Sequence, residues 1–355
     1  MKNLKLLGCL AMLFSGLLLM QCTSDEPIYV AGQNGVDGVD GVDGSAAACI
    51  ACHSDSHRMP IHDAFNLSKH ANETVMYTGD LLSAYGNRTA CAECHTSDGF
   101  KDKQDGYPIA EGTGGSDPSY PGTQTINCTT CHSNHSTFDF ENDGQDYALR
   151  NSGPHPLIVD DTYTIDFGDS SNNCVSCHQP RTATPSDDGN GTYTITSSHW
   201  GPHHGPQATM LEGLQGALLP GTAGYPGVGT ATHRTGASCV SCHMGEPADE
   251  TNGSHTFVPT ENACITCHTS GAPAEVNGLA ADLATLEGLL ANVVSQDGTV
   301  TGIVVDGHPN TGTFTIVEAQ AAWNYILIME DKSNGIHNPE YAKALISNSI
   351  EALQN

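Results

Sequence analysis

Residues 49–53 read Cys49-Ile50-Ala51-Cys52-His53, and the same Cys-x-x-Cys-His pattern occurs five more times. The other copies are Cys91–His95, Cys128–His132, Cys174–His178, Cys239–His243 and Cys264–His268. Two cysteines three positions apart lie on one side of a helical turn, and the next residue sets an imidazole beside them. This is the spacing of c-type haem attachment, in which both thiols bond to the haem vinyl groups and the histidine ligates iron. The sequence therefore predicts six covalently attached haem c groups.

Haem attachment accounts for nearly all of the cysteines. Of 14 cysteines, only Cys9 and Cys22 lie outside the motifs, in or beside the N-terminal leader. A zinc site or a thioredoxin-like pair would not require a histidine after every second cysteine. The predicted attachment residues are Cys49, Cys52, Cys91, Cys94, Cys128, Cys131, Cys174, Cys177, Cys239, Cys242, Cys264 and Cys267.

The N-terminus has the pattern of an export signal over residues 1–21, with Lys2 and Lys5 before an apolar stretch. The context of Cys22 resembles a lipobox, which predicts a lipid tether to a membrane. The acidic run after Cys22 is similar to that of surface-exposed lipoproteins. We therefore expect an exported protein, an outer membrane lipoprotein facing the cell surface, with the periplasm as the second expectation.

Residues 22–48 contain glycine at every third position from 32 to 44, mostly as Gly-Val-Asp. The repeat lacks proline and is too short for a triple helix, so we interpret it as a flexible acidic spacer. Beyond it, no stretch is long and apolar enough to span a bilayer.

The chain is strongly acidic, with 12 Lys and Arg against 40 Asp and Glu and a formal net charge of −28. This balance excludes nucleic acid as a partner. It favours attraction of positively charged partners or cationic metal species, although it also serves solubility alone.

The composition predicts a mainly α fold with extensive irregular structure. Apolar residues make up 38% of the chain and aromatic residues 6%, which is little for a conventional core, so we expect the haems to fill it. We divide the chain beyond the spacer into a hexahaem-binding region, 49–270, and a C-terminal helical segment, 271–355. In that segment, Ile316–Met329 is predicted to be a buried helix, and Asn338 and Pro339 are predicted to start the last helix.

Twelve of the 18 histidines lie outside the motifs and could supply the second axial ligand of each iron. The proximal ligands are predicted to be His53, His95, His132, His178, His243 and His268. By recurrence of local context and position, the predicted distal ligands are His70, His135, His155, His203, His255 and His337. The remaining candidates are His57, His62, His199, His204, His233 and His308, with His203 and His204 nearly equivalent. Bis-histidine ligation leaves no vacant coordination position, which favours electron relay over catalysis.

The chain resembles the multihaem c-type cytochromes of the lineage that includes cytochrome c nitrite reductases and hydroxylamine-oxidising cytochromes. The resemblance rests on the motifs, on Cys239–Met244 followed by Ser254–Thr256, and on Ser333–Pro339. It implies a distal haem ligand at His337 and, by a similar route, at His255. The Cys-x-x-Cys-Lys motif of the nitrite reductases is absent, which lowers the expectation of catalysis. If one iron is open, we expect it at His53.

The function predicted from these patterns is electron transfer along bis-histidine haems at the cell surface, to other redox proteins or an extracellular acceptor. A second possible function is a reductase of a small nitrogen or sulfur oxyanion with one open haem. A third is a homopolymeric conducting filament, suggested by the surplus His57 and His62 beside the first motif.

Overall fold

A computed structural model describes residues 46–72, 89–107, 125–135, 147–273 and 275–355. The segment from Ala46 to Asn355 forms one compact unit. The predicted leader, Cys22 and the spacer up to residue 45 lie outside the described residues. The first helix begins at Ala46, so the last three residues assigned to the spacer are helical. The division predicted at residue 270 stays a prediction.

The motif-bearing part of the chain folds into mostly short helices joined by turns and irregular segments. In chain order the helices are α1 (Ala46–His53), α2 (Asp55–Leu67), α3 (Lys69–Asn72), α4 (Thr89–His95), α5 (Ser97–Gln104), α6 (Cys128–Cys131), α7 (Asn172–Val175), α8 (Gln207–Glu212), α9 (Thr232–Gly236), α10 (Cys239–His243) and α11 (Glu261–Ile265). A single 3₁₀ turn covers Ser254–Thr256. Each motif begins inside one of these helices, and the predicted mainly α fold with much irregular structure is confirmed.

Side-chain caps fix where two of the motif helices start. At α6, Asn127 accepts a hydrogen bond from the Thr129 N–H at 3.0 Å, and Thr130 Oγ1 accepts one from the Asn127 N–H at 3.0 Å. At α10, Ser241 Oγ accepts from the Ser238 N–H at 2.7 Å. Such reciprocal caps satisfy backbone donors that a helix start leaves unpaired. Both helices therefore begin at the first cysteine of their motif.

The strands that the structure describes form three small antiparallel sheets of two strands each. They are β1 (His155–Pro156) with β2 (Thr164–Ile165), β3 (Thr192–Ile195) with β6 (Gly312–Thr315), and β4 (Val304–Val305) with β5 (His308–Pro309). The β3–β6 pair has Thr192 opposite Thr315 and Ile195 opposite Gly312. It fastens the motif-bearing part of the chain to the C-terminal segment.

Three longer helices follow the last motif: α12 (Leu279–Leu290), α13 (Ile316–Asp331) and α14 (Pro339–Gln354). Thr315 caps α13 by accepting from the Glu318 N–H at 3.2 Å, and Glu318 accepts from the Thr315 N–H at 2.8 Å. At α14, Asn338 Oδ1 accepts from the Tyr341 N–H at 3.2 Å. The last helix therefore begins where the Asn-Pro pair predicts.

These helices bury a continuous apolar core, which we call the C-terminal core. It consists of Ile195, Met210, Leu219, Leu279, Leu286, Leu290, Ile303, Val304, Phe314, Ala319, Ala321, Ala322, Tyr325, Ile326, Leu327, Ile328, Tyr341, Ala342, Leu345 and Ile346. A second, small core contains only Leu157, Ile165, Val175 and Ala208. None of the helices in the described ranges combines the length and apolar character needed to cross a bilayer.

Candidate haem centres

We number six sites by the order of their motifs, so that site 1 carries His53 and site 6 carries His268. In each site the first cysteine lies in a short helix, and the motif histidine lies at the end of that helix or within three residues beyond it. All twelve motif cysteines are free thiols. Each motif therefore presents two thiols and one imidazole from one turn of the chain, as the spacing predicts.

Every motif histidine faces a second histidine from elsewhere in the chain. The ring centroids are 6.0–6.3 Å apart, in the pairs His53–His135, His95–His203, His132–His255, His178–His70, His243–His337 and His268–His233. Two imidazoles on opposite sides of one metal ion, each nitrogen about 2 Å from it, have ring centres about 6 Å apart. Each pair is therefore spaced to hold one metal ion between its rings.

Oxygen acceptors fix the hydrogen on Nδ1 in five of these histidines. Because an oxygen of a carbonyl, amide or carboxylate only accepts, Nδ1 carries the hydrogen and the other ring nitrogen keeps its lone pair for a metal. The bonds are His132 to Tyr147 O (2.7 Å), His178 to Gln207 Oε1 (2.9 Å), His243 to Phe257 O (2.8 Å), His233 to Ile336 O (2.5 Å) and His337 to Asp331 Oδ1 (2.6 Å).

Burial keeps several of the facing histidines neutral, which is the form that binds metal. Burial lowers the pKa of His255 to about 4, with a smaller contribution from His132. Burial also lowers the pKa of His70 to about 4, and the nearby His178 and His243 add to the shift. His337 differs because the hydrogen bond and charge of Asp331 outweigh the effect of burial and raise its pKa.

The structure brings five predicted distal histidines opposite a motif histidine: His70, His135, His203, His255 and His337. It also separates the two members of the adjacent pair, since His203 faces His95 whereas His204 Nδ1 lies 2.7 Å from Glu330. From the sequence, an open iron, if there is one, is expected at His53. The structure does not support this expectation, because His135 faces that histidine.

His155 is the predicted distal histidine that the structure does not place opposite a motif histidine. It is buried in β1, and its Nε2 lies 3.2 Å from Ser176 Oγ. Site 4, the nearest motif in sequence, instead has His70 opposite His178. The prediction rested on recurrence of local context, since the tripeptide Gly-Pro-His ends at both His155 and His203. At His155, this tripeptide leads into strand β1. The sixth facing histidine is His233 rather than His155.

His233 is positioned by the helix that carries it. The neighbouring Arg234 donates from Nε to Glu212 Oε2 at 2.5 Å and lies over the Phe167 ring at 4.8 Å. These contacts attach α9 to α8 and orient its histidine towards His268. The adjacent Arg234 was the sequence signal that could have pointed to His233. Its two partners, Glu212 and Phe167, are distant along the chain, so local sequence does not connect them to it.

Like His204, four further histidines that take no part in these pairs lie on the surface. His57, His62, His199 and His308 are exposed. Met210 is fully buried in the C-terminal core. None of these side chains is needed to pair the six motif histidines.

Contacts between motifs show which sites are neighbours. The thiol of Cys94 in site 2 lies close to that of Cys177 in site 4, and the thiol of Cys174 in site 4 lies close to that of Cys239 in site 5. At site 5, the pKa of the Cys242 thiol is raised, mainly by burial and to a smaller extent by the nearby thiols of site 6. Sites 4, 5 and 6 are therefore consecutive in space, and site 2 lies beside site 4.

The remaining two sites join through shared segments and one aromatic ring. Phe257 lies 4.8 Å from His70 of site 4 and 5.9 Å from His255 of site 3. His135 of site 1 follows His132 of site 3 by three residues. The spatial order is therefore 1, 3, 4, 5, 6 with site 2 as a branch at site 4, which differs from the order along the chain.

Known structures were compared with the described fold. The outer cell wall cytochrome OcwA has a TM-score of 0.48 and 18% identity, with 82% of this chain and 50% of that chain covered. An undecaheme cytochrome from the S-layer of Carboxydothermus ferrireducens has a TM-score of 0.49 and 19% identity, covering 81% and 40%. These structural similarities are too weak to carry an argument.

Sequence comparison is more informative, although no family model matches the chain. The C-type polyheme cytochrome OmcB of Geobacter sulfurreducens is 27% identical over 339 residues, covering 75% of this chain and 44% of the relative. The C-type polyheme cytochrome OmcC of the same organism is also 27% identical, covering 75% and 43%. The chain thus spans less than half the length of these curated relatives. The resemblance to the nitrite reductase lineage stays a prediction. These polyheme relatives, the six motifs and the paired imidazoles lead to the same conclusion: the chain is a multihaem c-type cytochrome.

Proposed function

We propose that the chain is an exported cytochrome that binds six haems c and transfers single electrons along them. The observation that carries this proposal is the set of six histidine pairs, each with ring centroids 6.0–6.3 Å apart. One histidine of every pair follows two cysteines that can form thioethers. The number of pairs equals the number of attachment motifs.

The residues present fit haem c. Twelve free thiols stand in six pairs, and the described Nδ1 hydrogen bonds leave the opposite ring nitrogen available to iron. When bound, haem iron supplies reversible one-electron oxidation and reduction. The residues of the chain would hold two imidazoles at each iron, shield partly buried ligands such as His70, and bring neighbouring motifs close together.

The paired ligands favour electron transfer over catalysis. An iron with histidine on both sides has no free position for a substrate. His53, the site at which an open iron is expected from sequence, has His135 opposite it. The oxyanion reductase is therefore the less supported function.

Closely spaced motifs support passage of electrons between sites. Thiols of sites 2 and 4, and of sites 4 and 5, lie close together, so haems attached to them would be adjacent. Site 4 lies beside sites 2, 3 and 5. It is therefore the point at which the branch to site 2 joins the proposed path from site 3 to site 5.

Export follows from the attachment chemistry, because haem c is joined to apocytochromes outside the cytoplasm. A lipid on Cys22 would tether the protein to a membrane, and residues 22–48 would hold it away from that surface. The proposed partners are other redox proteins or an extracellular acceptor. A net charge of −28 favours partners with positive surfaces.

Mass spectrometry of the mature protein, made in a host with cytochrome maturation, tests the proposal. We expect the mass of the polypeptide plus six haems, and an all low-spin spectrum in both oxidation states. A replacement of Cys264 and Cys267 by alanine is the matched control and should remove one haem mass. Fewer than six haems in the wild-type protein, or a high-spin component, would contradict the proposal.

A further inference from the structure

The C-terminal end of α13 contacts a histidine of site 5 directly, is linked to site 4 through Gln207, and contacts the neighbour of His203 at site 2. Gln207 accepts from His178 of site 4 and donates to the Glu330 and Asp331 carbonyls at 3.1 and 3.4 Å. Glu330 accepts from His204, next to the site 2 histidine. Asp331 accepts from His337 of site 5 at 2.6 Å.

Of these contacts, the one at site 5 is chemically distinct. The side chain of Asp331 is fully buried, and in the described residues its ion-pair partner is His337. The Nδ1 acceptors described at the neighbouring sites are neutral: Gln207 Oε1 at site 4 and the Ile336 carbonyl at site 6. Site 5 thus has a buried carboxylate where its neighbours have an amide and a peptide oxygen.

The local structure holds this carboxylate in place. Oδ1 accepts from His337, and Oδ2 accepts from the hydroxyl of Ser333. Ser333 Oγ in turn accepts from the His337 N–H at 3.3 Å. Lys332, at φ 61°, ends α13 and turns the chain so that Asp331, Ser333 and His337 face one another. The loop therefore fixes both the acid and the imidazole.

We propose that Asp331 is a positioning residue that makes the haem of site 5 the low-potential member between sites 4 and 6. This inference rests on the proposed function. A carboxylate that accepts the Nδ1 hydrogen makes the imidazole a stronger donor to iron, and its buried negative charge stabilises the ferric state over the ferrous state. Both effects lower the reduction potential, whereas a neutral acceptor supplies only a hydrogen bond.

The position of site 5 gives this a consequence for electron flow. Site 5 contacts the segment of site 4 through the Val240 N–H, which donates to Ser171 Oγ at 3.1 Å, and that of site 6 through the Cys242 carbonyl, which accepts from the Thr260 N–H at 3.2 Å. An electron that moves between site 6 and the other sites must then pass through a haem that is harder to reduce than either neighbour. Site 6 would fill and empty more slowly than sites 2, 3 and 4.

Asp331→Asn tests this, because asparagine keeps the shape and replaces the carboxylate with a neutral acceptor. Redox titration of the holoprotein should show that the lowest potential among sites 4, 5 and 6 rises by at least about 59 mV. For one electron, this corresponds to a tenfold change in the ratio of ferric to ferrous haem. The low-spin ferric signal of one haem in electron paramagnetic resonance should shift as well. Glu330→Gln, which removes the same charge one residue away, is the matched control and should leave that potential within a threefold change.

A second variant covers the case in which Asp331→Asn does not fold. Ser333→Ala removes the hydroxyl that shares the carboxylate charge, so His337 should receive a stronger acceptor and the same potential should fall. An Asp331→Asn shift no larger than that of Glu330→Gln would overturn the inference, as would a Ser333→Ala potential that is unchanged or raised. A wild-type protein without six low-spin haems fails the proposed function itself. Six low-spin haems with unshifted potentials fail this inference alone.

Discussion

The C-terminal segment and the motif-bearing region achieve their packing with different materials. Residues 279–355 contribute most of the twenty buried side chains of the C-terminal core, and Trp323 and Leu345 are inaccessible to solvent. In the helices that carry and follow the first motif, by contrast, Ile50 is 60% exposed and Leu67 is 61% exposed. The second core holds only four side chains. The difference indicates that side chains organise one region, whereas bound porphyrins organise the other.

Withholding haem should separate the two regions most sharply. In a host without cytochrome maturation, we expect residues 46–72, 89–107 and 125–135 to lose hydrogen-exchange protection, because their short helices would have no apolar plate to pack on. The helices α12, α13 and α14 should keep more protection, since their core consists of side chains. Hydrogen exchange of the apoprotein and holoprotein, peptide by peptide, measures this. Equal protection in both regions of the apoprotein would break the comparison.

A cavity in the C-terminal core should cost stability without removing haem. Leu345→Ala removes a fully buried side chain, and we expect a loss of about 2–5 kcal/mol in the free energy of unfolding. Leu353→Ala, at a half-buried position in the same helix, is the matched control and should cost less. Denaturant unfolding followed by circular dichroism gives both values. A high-spin haem signal in folded Leu345→Ala would show that the two regions are not separate in this sense.

Removing one distal histidine should have a smaller effect on global stability, because the thioethers still hold the haem. We expect His233→Ala to convert one of six haems to a high-spin form, visible in the absorption spectrum of the oxidised protein. His155→Ala is the matched control, and all six haems should stay low-spin in it. High spin in His155→Ala with an unchanged His233→Ala spectrum would reverse the assignment at these two histidines.

The sequence predicts the local features of this molecule better than its pairings. The motifs lie in helical turns because two thiols and an imidazole must share one turn, and Asn338 with Pro339 marks the start of α14. His70 and His178 meet through a fold that is set by residues between and beyond them, so no spacing rule connects them. The error at His155 has the same origin: local context repeats there, but the ring is hydrogen-bonded inside a small sheet.

The histidine pairs also order events during synthesis. His70 and His233 precede their motif partners, so sites 4 and 6 have both imidazoles as soon as their cysteines emerge. Sites 1, 2, 3 and 5 must wait for a segment nearer the C-terminus, and site 5 is completed last, by His337. An exported chain truncated before residue 337 would leave His243 with no imidazole opposite it, so the last loop also closes the final centre to small reactive ligands.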